Sequence, residues 1–250
     1  MLFLLCRWHD DTAPIQVDFY EQVPAPVYMW PMVAFATAML LNALSWSFEQ
    51  RPARRQLCFL AVYISGVAFV YEALAWHRAA PIYTSPNGRP TSLLRYVMWL
   101  HATPAMLYTL SMISDFKPDR VARTVAVDLV MIATAVPGEM LPGWERWVWN
   151  AVSCAVFPYL FYQLWCMFSS AVAEARGDAG AQRSLRALRG FTVTFWTVFP
   201  LIWAAVQLKA ISVRTEETLW GVADICGERH ATRVRHKTRI GPACLCTMRL

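Results

Sequence analysis

"RYVMWLHATP", residues 95–104, decides how the rest of the chain is read. It opens on a guanidinium, Arg95, and the chain then carries no charged residue until Asp115. Trp99 and Thr103 lie one helical turn apart, Pro104 follows at once, and Met98 stands between Arg95 and that pair. A membrane-crossing helix needs about 20 predominantly apolar residues. Residues 96–114 supply such a run, so the arginine sits at the mouth of a crossing rather than in a soluble loop.

The same pattern recurs along the chain. Residues 23–48, 147–172 and 190–208 carry no charge, and residues 57–76 carry only Glu72. Residues 125–136 form a shorter run with Asp128 that extends back toward Val121, and a last apolar stretch, 218–227, is interrupted only by Asp224. The 250 residues are 57% hydrophobic and 16% charged, whereas soluble domains are about one quarter charged. These runs predict an all-α membrane protein, a seven-transmembrane-helix bundle with the seventh helix truncated. The expected organisation is an N-terminal external segment over 1–22, the bundle over 23–227 and a basic tail over 228–250.

Loop charges set the expected orientation, because Lys and Arg concentrate on the cytoplasmic side. The first, third and fifth loops hold Arg51, Arg54, Arg55, Lys117, Arg120, Arg123, Arg176, Arg183, Arg186 and Arg189. The N-terminus and the even loops hold only Arg7, Arg78, Arg89, Arg146, Lys209 and Arg214. The bias places the N-terminus outside and accounts for the net charge of +6 without nucleic acid. The opening "MLFLL" is too short for a signal-peptide core and meets "RWHDD" at once. Cys58, Cys154 and Cys166 read as small packing residues, and the seven cysteines form no disulfide framework. "TSPNGRP", residues 84–90, predicts an external hairpin.

Ionisable groups inside a membrane are costly and mark a pathway, a relay or a ligand counter-ion. Here the set is Glu72, Arg95, Asp128 and Asp224.

"RYVMWLHATPAMLYTLS" resembles the third helix of microbial (type I) rhodopsins, with Arg95, Tyr96, Trp99, Thr103 and Pro104 matching in type and spacing. In "FWTVFPLIW", Trp196, Phe199, Pro200 and Trp203 are similar to the family's sixth helix, where tryptophans pack around retinal. "DLVM" supplies Asp128 and Met131 at fourth-helix pocket positions, and "ETLWGVAD" is similar to the seventh helix up to Asp224. The resemblance covers roughly residues 23–227 and implies retinal as cofactor. It places Trp99, Thr103, Met131, Trp196, Phe199 and Trp203 in the pocket. Large flat side chains suit a flat polyene, and Pro104 and Pro200 would bend their helices around it. A tryptophan-rich bundle could also pack its core this way, but two ordered motifs in the correct helices favour the pocket.

Two departures stand against the family pattern. Met98 occupies the position of the third-helix carboxylate of ion-pumping members, with Ala102 and Thr109 at the two other positions that distinguish pump classes. Outward proton pumping by the usual route is therefore not expected, and Asp224, positioned with Arg95, is left as the main counter-ion. Glu72 is a candidate for a proton or ion path and equally for a helix-to-helix hydrogen bond. Asp128 reads as a hydrogen-bonded packing residue more than a relay. The second departure is Glu228, which stands one turn after Asp224, where the resemblance places the Schiff-base lysine. The chain has three lysines, Lys117, Lys209 and Lys237, none within an apolar run.

After Gly227 the sequence "ERHATRVRHKTRIGPACLCTMRL" abandons the apolar pattern. We read a frameshift, retained intron or alternative exon at this point. The tail's His230, His236 and "CLC" fit no ordinary zinc spacing, and its basic character suits anionic lipid.

The resemblance implies a light-sensing or ion-conducting protein in its lysine-bearing form, a sensor more than a pump. A homo-oligomer and a downstream signalling partner are compatible with it, beside the lipid bilayer itself. "HATPAMLYTLSMISDF" is similar to rhodopsin modules fused to eukaryotic enzymes or channels, although no enzymatic domain is expected here. The alternative is a chromophore-free protein of the same fold with a structural or chaperone-like role. An unrelated transporter is disfavoured because no inverted repeat is evident.

Overall fold

The computed structural model describes residues 19–86, 88–114 and 116–237, with side chains through residue 227. The elements, in order, are α1 (Pro26–Phe48), α2 (Pro52–Trp76), β1 (Tyr83–Thr84), β2 (Pro90–Thr91), α3 (Leu94–Ser111) and α4 (Pro118–Met140). There follow α5 (Glu145–Ala155), α6 (Phe157–Glu174), α7 (Ala179–Gln207) and α8 (Val213–Lys237). Pro26, Pro52, Pro118 and Pro158 each sit in the first turn of a helix, where the missing N–H would be unpaired anyway.

The fifth crossing is interrupted. Pro158 can neither donate to the Cys154 carbonyl nor avoid it sterically, and α5 gives way to α6 at Val156 (φ −85°, ψ −13°). The two pieces still read as one crossing of 30 residues, Glu145–Glu174. With it, α1, α2, α4 and α7 make five helices long and apolar enough to span a bilayer. The two remaining crossings are α3 and α8, the helices that carry Arg95 and the acids Glu216, Glu217 and Asp224.

Chain neighbours pack side by side from α1 to α4 and on through α7 to α8, and α8 returns to α1 to close the ring. That closure is tight, since a Cβ on Gly221 would lie 2.8 Å from Pro31 Cγ. Trp30, Leu40, Phe48 and Leu201 are well exposed on the outside, as expected where the solvent is hydrocarbon. The structure is a seven-helix membrane bundle, and the chain is an integral multi-pass protein.

The predicted hairpin forms, with Tyr83 opposite Thr91 and Thr84 opposite Pro90. Beneath it Phe19, Tyr20, Val23, Tyr28, Ile82 and Val213 build a small core that caps this pole of the bundle. At the other pole Leu107, Leu160, Leu164, Met167, Phe168 and Leu185 form an apolar core between α3, α6 and α7.

One expectation needs correction. The apolar character of the seventh crossing ends at Gly227, but its backbone stays helical to Lys237. Charged and polar residues such as Glu, Arg and Lys form helix readily, so loss of the hydrophobic pattern does not end the helix. Residues 1–18 and 238–250, and the side chains of Glu228, His230 and His236, lie outside the described residues.

Candidate functional site

Three helices each turn one face inward. Residues 99, 102, 103 and 106 of α3, 196, 199, 200 and 203 of α7, and 220, 223, 224 and 227 of α8 recur at i, i+3, i+4 and i+7, the spacing of a single helical face. Together with Met131, Ile132 and Ala135 of α4 and Asn150, Ser153 and Cys154 of α5, they enclose a cavity of about 140 Å³. Aromatic rings make most of its wall. Trp99 meets Phe199 and Trp220 at centroid distances of 5.4 and 5.3 Å, edge to face, and Phe199 meets Trp220 at 5.6 Å. Trp196 and Trp203 are buried on α7.

All six residues expected to form a pocket, Trp99, Thr103, Met131, Trp196, Phe199 and Trp203, lie on this cavity, as do Met98 and Asp224. Met98 is buried and packs with Phe35, Ala68 and Tyr71 in an apolar cluster. Thr103 Oγ1 donates to Asp128 Oδ2 at 2.5 Å, tying α3 to α4. Asp128 is fully buried and acts as this interhelical acceptor, outside the cavity. Trp99 Nε1 donates to Asp224 Oδ1 at 3.2 Å. Among the described residues, Asp224 Oδ2 and Glu72 Oε2 have no hydrogen-bond partner. Glu72 is 1% exposed and lies off the cavity.

Arg95 acts electrostatically on Asp224 but makes its direct hydrogen bonds to another acid. Arg95 grips Glu217 with both ends of its fork, NH2 to Oε2 at 2.7 Å and NH1 to Oε1 at 3.2 Å. Its guanidinium stacks over Tyr71 and Trp220, 5.2 and 5.6 Å from the ring centroids. Tyr28 adds a third donor to Glu217 at 2.9 Å. The physical reason is reach and geometry: a bidentate, doubly stacked seat is available at the pole, a full two turns of α8 before Asp224.

Sequence reasoning missed the roles of three acids, Glu216, Glu217 and Glu139. Glu216 and Glu217 lie immediately before the last apolar stretch, and neither was singled out there. Yet Glu217, Trp220 and Asp224 are spaced i, i+3, i+7, and that spacing was available as a signal of one buried face. Glu216 binds Arg89 of the hairpin, NH2 at 2.6 Å and Nε at 2.9 Å, and accepts from Trp220 Nε1 at 3.3 Å. Glu139, buried near the end of α4, accepts from Tyr96 of α3 and Gln207 of α7, each at 3.2 Å. No pattern in its neighbourhood, "AVPGEML", distinguishes it from a loop acid.

Comparison with known proteins follows the same boundaries. A family model described as "Bacteriorhodopsin-like protein" matches residues 25–227. Cruxrhodopsin-3 of Haloarcula vallismortis is 28% identical over 211 residues, spanning 77% of this chain and 84% of that protein. Halorhodopsin of Halobacterium halobium (strain shark) is 24% identical over 208 residues, 79% of this chain and 74% of its own length. Among solved structures, the transmembrane domain of Salpingoeca rosetta rhodopsin phosphodiesterase has a TM-score of 0.81 at 21% identity, covering 94% of this chain and 95% of that one. Thermophilic rhodopsin from Rubrobacter xylanophilus gives 0.76 at 22% identity, over 85% and 94% of the two chains. At these identities the structural likeness speaks for the fold.

Proposed function

The chain belongs to the bacteriorhodopsin-like family, and from that premise we propose a membrane photoreceptor or light-gated ion-conducting protein in its lysine-bearing form, not an outward proton pump. The observation that carries this reading is the aromatic cavity shared by α3, α7 and α8. Against pumping stands Met98, buried in an apolar cluster. Thr109, at the other carboxylate position of pumps, donates to the Ala105 carbonyl of its own helix.

Retinal is the chromophore of this family. The cavity suits its flat polyene, but the sequence given does not supply the tether. Residue 228 is glutamate, and Lys117 and Lys209 are exposed near helix ends. The group therefore fits in shape and not in attachment, and no light-driven step follows for this sequence. A second reading, a chromophore-free member with a structural or chaperone-like role, draws support from Glu228, which stands where the family's lysine is expected. We further propose that the tail after Gly227 departs from the family through a coding break, since the family match stops at that residue. The loop charges support an external N-terminus.

The test is to purify three proteins with all-trans retinal: the sequence as given, E228K, and a version continued after Gly227 by a lysine-bearing apolar helix. A visible band that hydroxylamine bleaches, in the lysine-bearing proteins alone, is the expected result. Absence of a band in all three would overturn the photoreceptor reading and leave the structural one. Transcript sequencing across the Gly227 codon addresses the break, and an abundant intact message for this tail would refute it.

A further inference from the structure

At the pole away from the hairpin, α7 begins well before the charge-free part of its crossing. Residues 190–207 carry no charge and span about 27 Å at 1.5 Å per residue, close to a hydrocarbon layer of about 30 Å. Arg189 therefore stands where the headgroups begin. Its guanidinium lies 3.6 Å from the ring centroid of Trp165 on α6, and Trp165 is 50% exposed on the outer surface. Arg189 NH1 donates to Ser169 Oγ at 3.1 Å, and Ser169 Oγ donates to the Trp165 carbonyl at 2.7 Å. One turn earlier, Arg186 NH2 donates to Gln182 Oε1 at 3.3 Å, and Gln182 Nε2 donates to the Val172 carbonyl of α6 at 3.3 Å. Arg183 is exposed one turn before that. None of these three arginines pairs with a carboxylate among the described residues.

A guanidinium held flat on an indole has given up much of its rotamer freedom before any anion arrives. NH1 is the only nitrogen of Arg189 with a hydrogen bond among the described residues, so the rest of its fork is left to an outside acceptor. That fork matches a phosphate in shape and charge. We propose that the seam between α6 and α7 is a seat for the headgroup phosphate of an anionic phospholipid, gripped by Arg189, flanked by Arg186 and Arg183, with an acyl chain lying along Trp165. Depth selects a lipid over a soluble acidic partner. Trp165 and Arg189 lie at the hydrocarbon boundary, whereas an acidic protein would meet the α6–α7 loop, where Glu174 and Asp178 oppose it. A zwitterionic lipid offers the same phosphate but carries its own ammonium beside it. The seat is separate from the aromatic cavity and stands whether or not that cavity is filled.

The full chain in detergent micelles is offered equal amounts of dioleoyl phosphatidic acid and dioleoyl phosphatidylcholine, and native mass spectrometry counts the lipid that stays bound. Phosphatidic acid is expected to be retained about tenfold over phosphatidylcholine, the scale of a charge-assisted hydrogen bond. R189Q should remove most of that preference. W165L keeps every charge but takes away the platform under the guanidinium, and should reduce the preference about threefold. R51Q/R54Q removes two charges from the same pole but away from the seam, and should leave the preference within about twofold because exposed charges are screened over such distances. No retained lipid, equal retention of the two lipids, an unchanged preference in R189Q or W165L, or an equal loss in R51Q/R54Q would each overturn the proposal. If R189Q fails to fold, W165L decides. Inorganic phosphate and polyglutamate are then added in turn. Displacement of the lipid by the first would mark a free-phosphate site, and by the second an acidic-protein surface; a lipid seat withstands both.

Discussion

Two buried polar regions lie about 10 Å apart along α8, seven residues at 1.5 Å each, and they are built on opposite terms. At the hairpin pole every buried charge shown has its partner: Arg95 is held by Glu217, and Arg89 by Glu216, with Tyr28 and Trp220 filling further acceptor positions. In the middle of the bundle Asp224 and Glu72 each keep a buried oxygen without a donor among the described residues, and no basic side chain is bonded to either. At the pole the charges pair with one another, although Arg95 Nε, Thr91 Oγ1 and Ser92 Oγ have no partner among the described residues. In the middle the acids have no directly bonded basic partner among the described residues. The difference separates paired buried charge from unpaired buried acid.

The largest effect should come from breaking the finished region. E217A strands the Arg95 guanidinium, and loss of one partner from a buried pair costs about 3–5 kcal/mol. Thermal unfolding of the purified protein, followed by circular dichroism, should show a midpoint far below that of the unmodified chain. The double change R95M/E217M, which removes both charges and keeps their bulk, should recover most of that loss. If E217A left the midpoint unchanged, the pole would not be the closed unit described here. A much smaller effect is expected in the middle. D224N keeps an acceptor for Trp99 and removes a charge to which no basic side chain is hydrogen-bonded, so stability should stay within about 1 kcal/mol or rise. A collapse there would mean that Asp224 is structural. The smallest effect belongs outside both regions. Arg123 and Asp119 pair on α4 with side chains 67% and 60% exposed, and water screens such pairs, so R123A should leave the midpoint unchanged within error.

The legibility of these two regions in the sequence was also unequal. The cavity could be read because its walls come from local motifs, Trp99 to Pro104 and Trp196 to Trp203, whose helical spacing fixes which side chains share a face. The pole could not be read the same way. Arg95 finds Glu217 across 122 positions of chain, and nothing local announces that meeting. Glu217 sits at the boundary between loop and crossing, where a carboxylate has the same appearance whether it faces water or a guanidinium. Glu139 is still more opaque, since its burial depends on α3 and α7 converging on the end of α4. The break between α5 and α6 was available in principle from Pro158. The helical continuation to Lys237 was obscured because apolarity and helicity part company after Gly227.

Arg89 ties the hairpin to α8 through Glu216 and to the turn before it through the Ile211 carbonyl, at 3.2 Å. Strapped down in this way, the hairpin and the start of α8 form one mechanical unit. A pull on either is carried to the other, so a change that loosens the hairpin would loosen the last crossing with it.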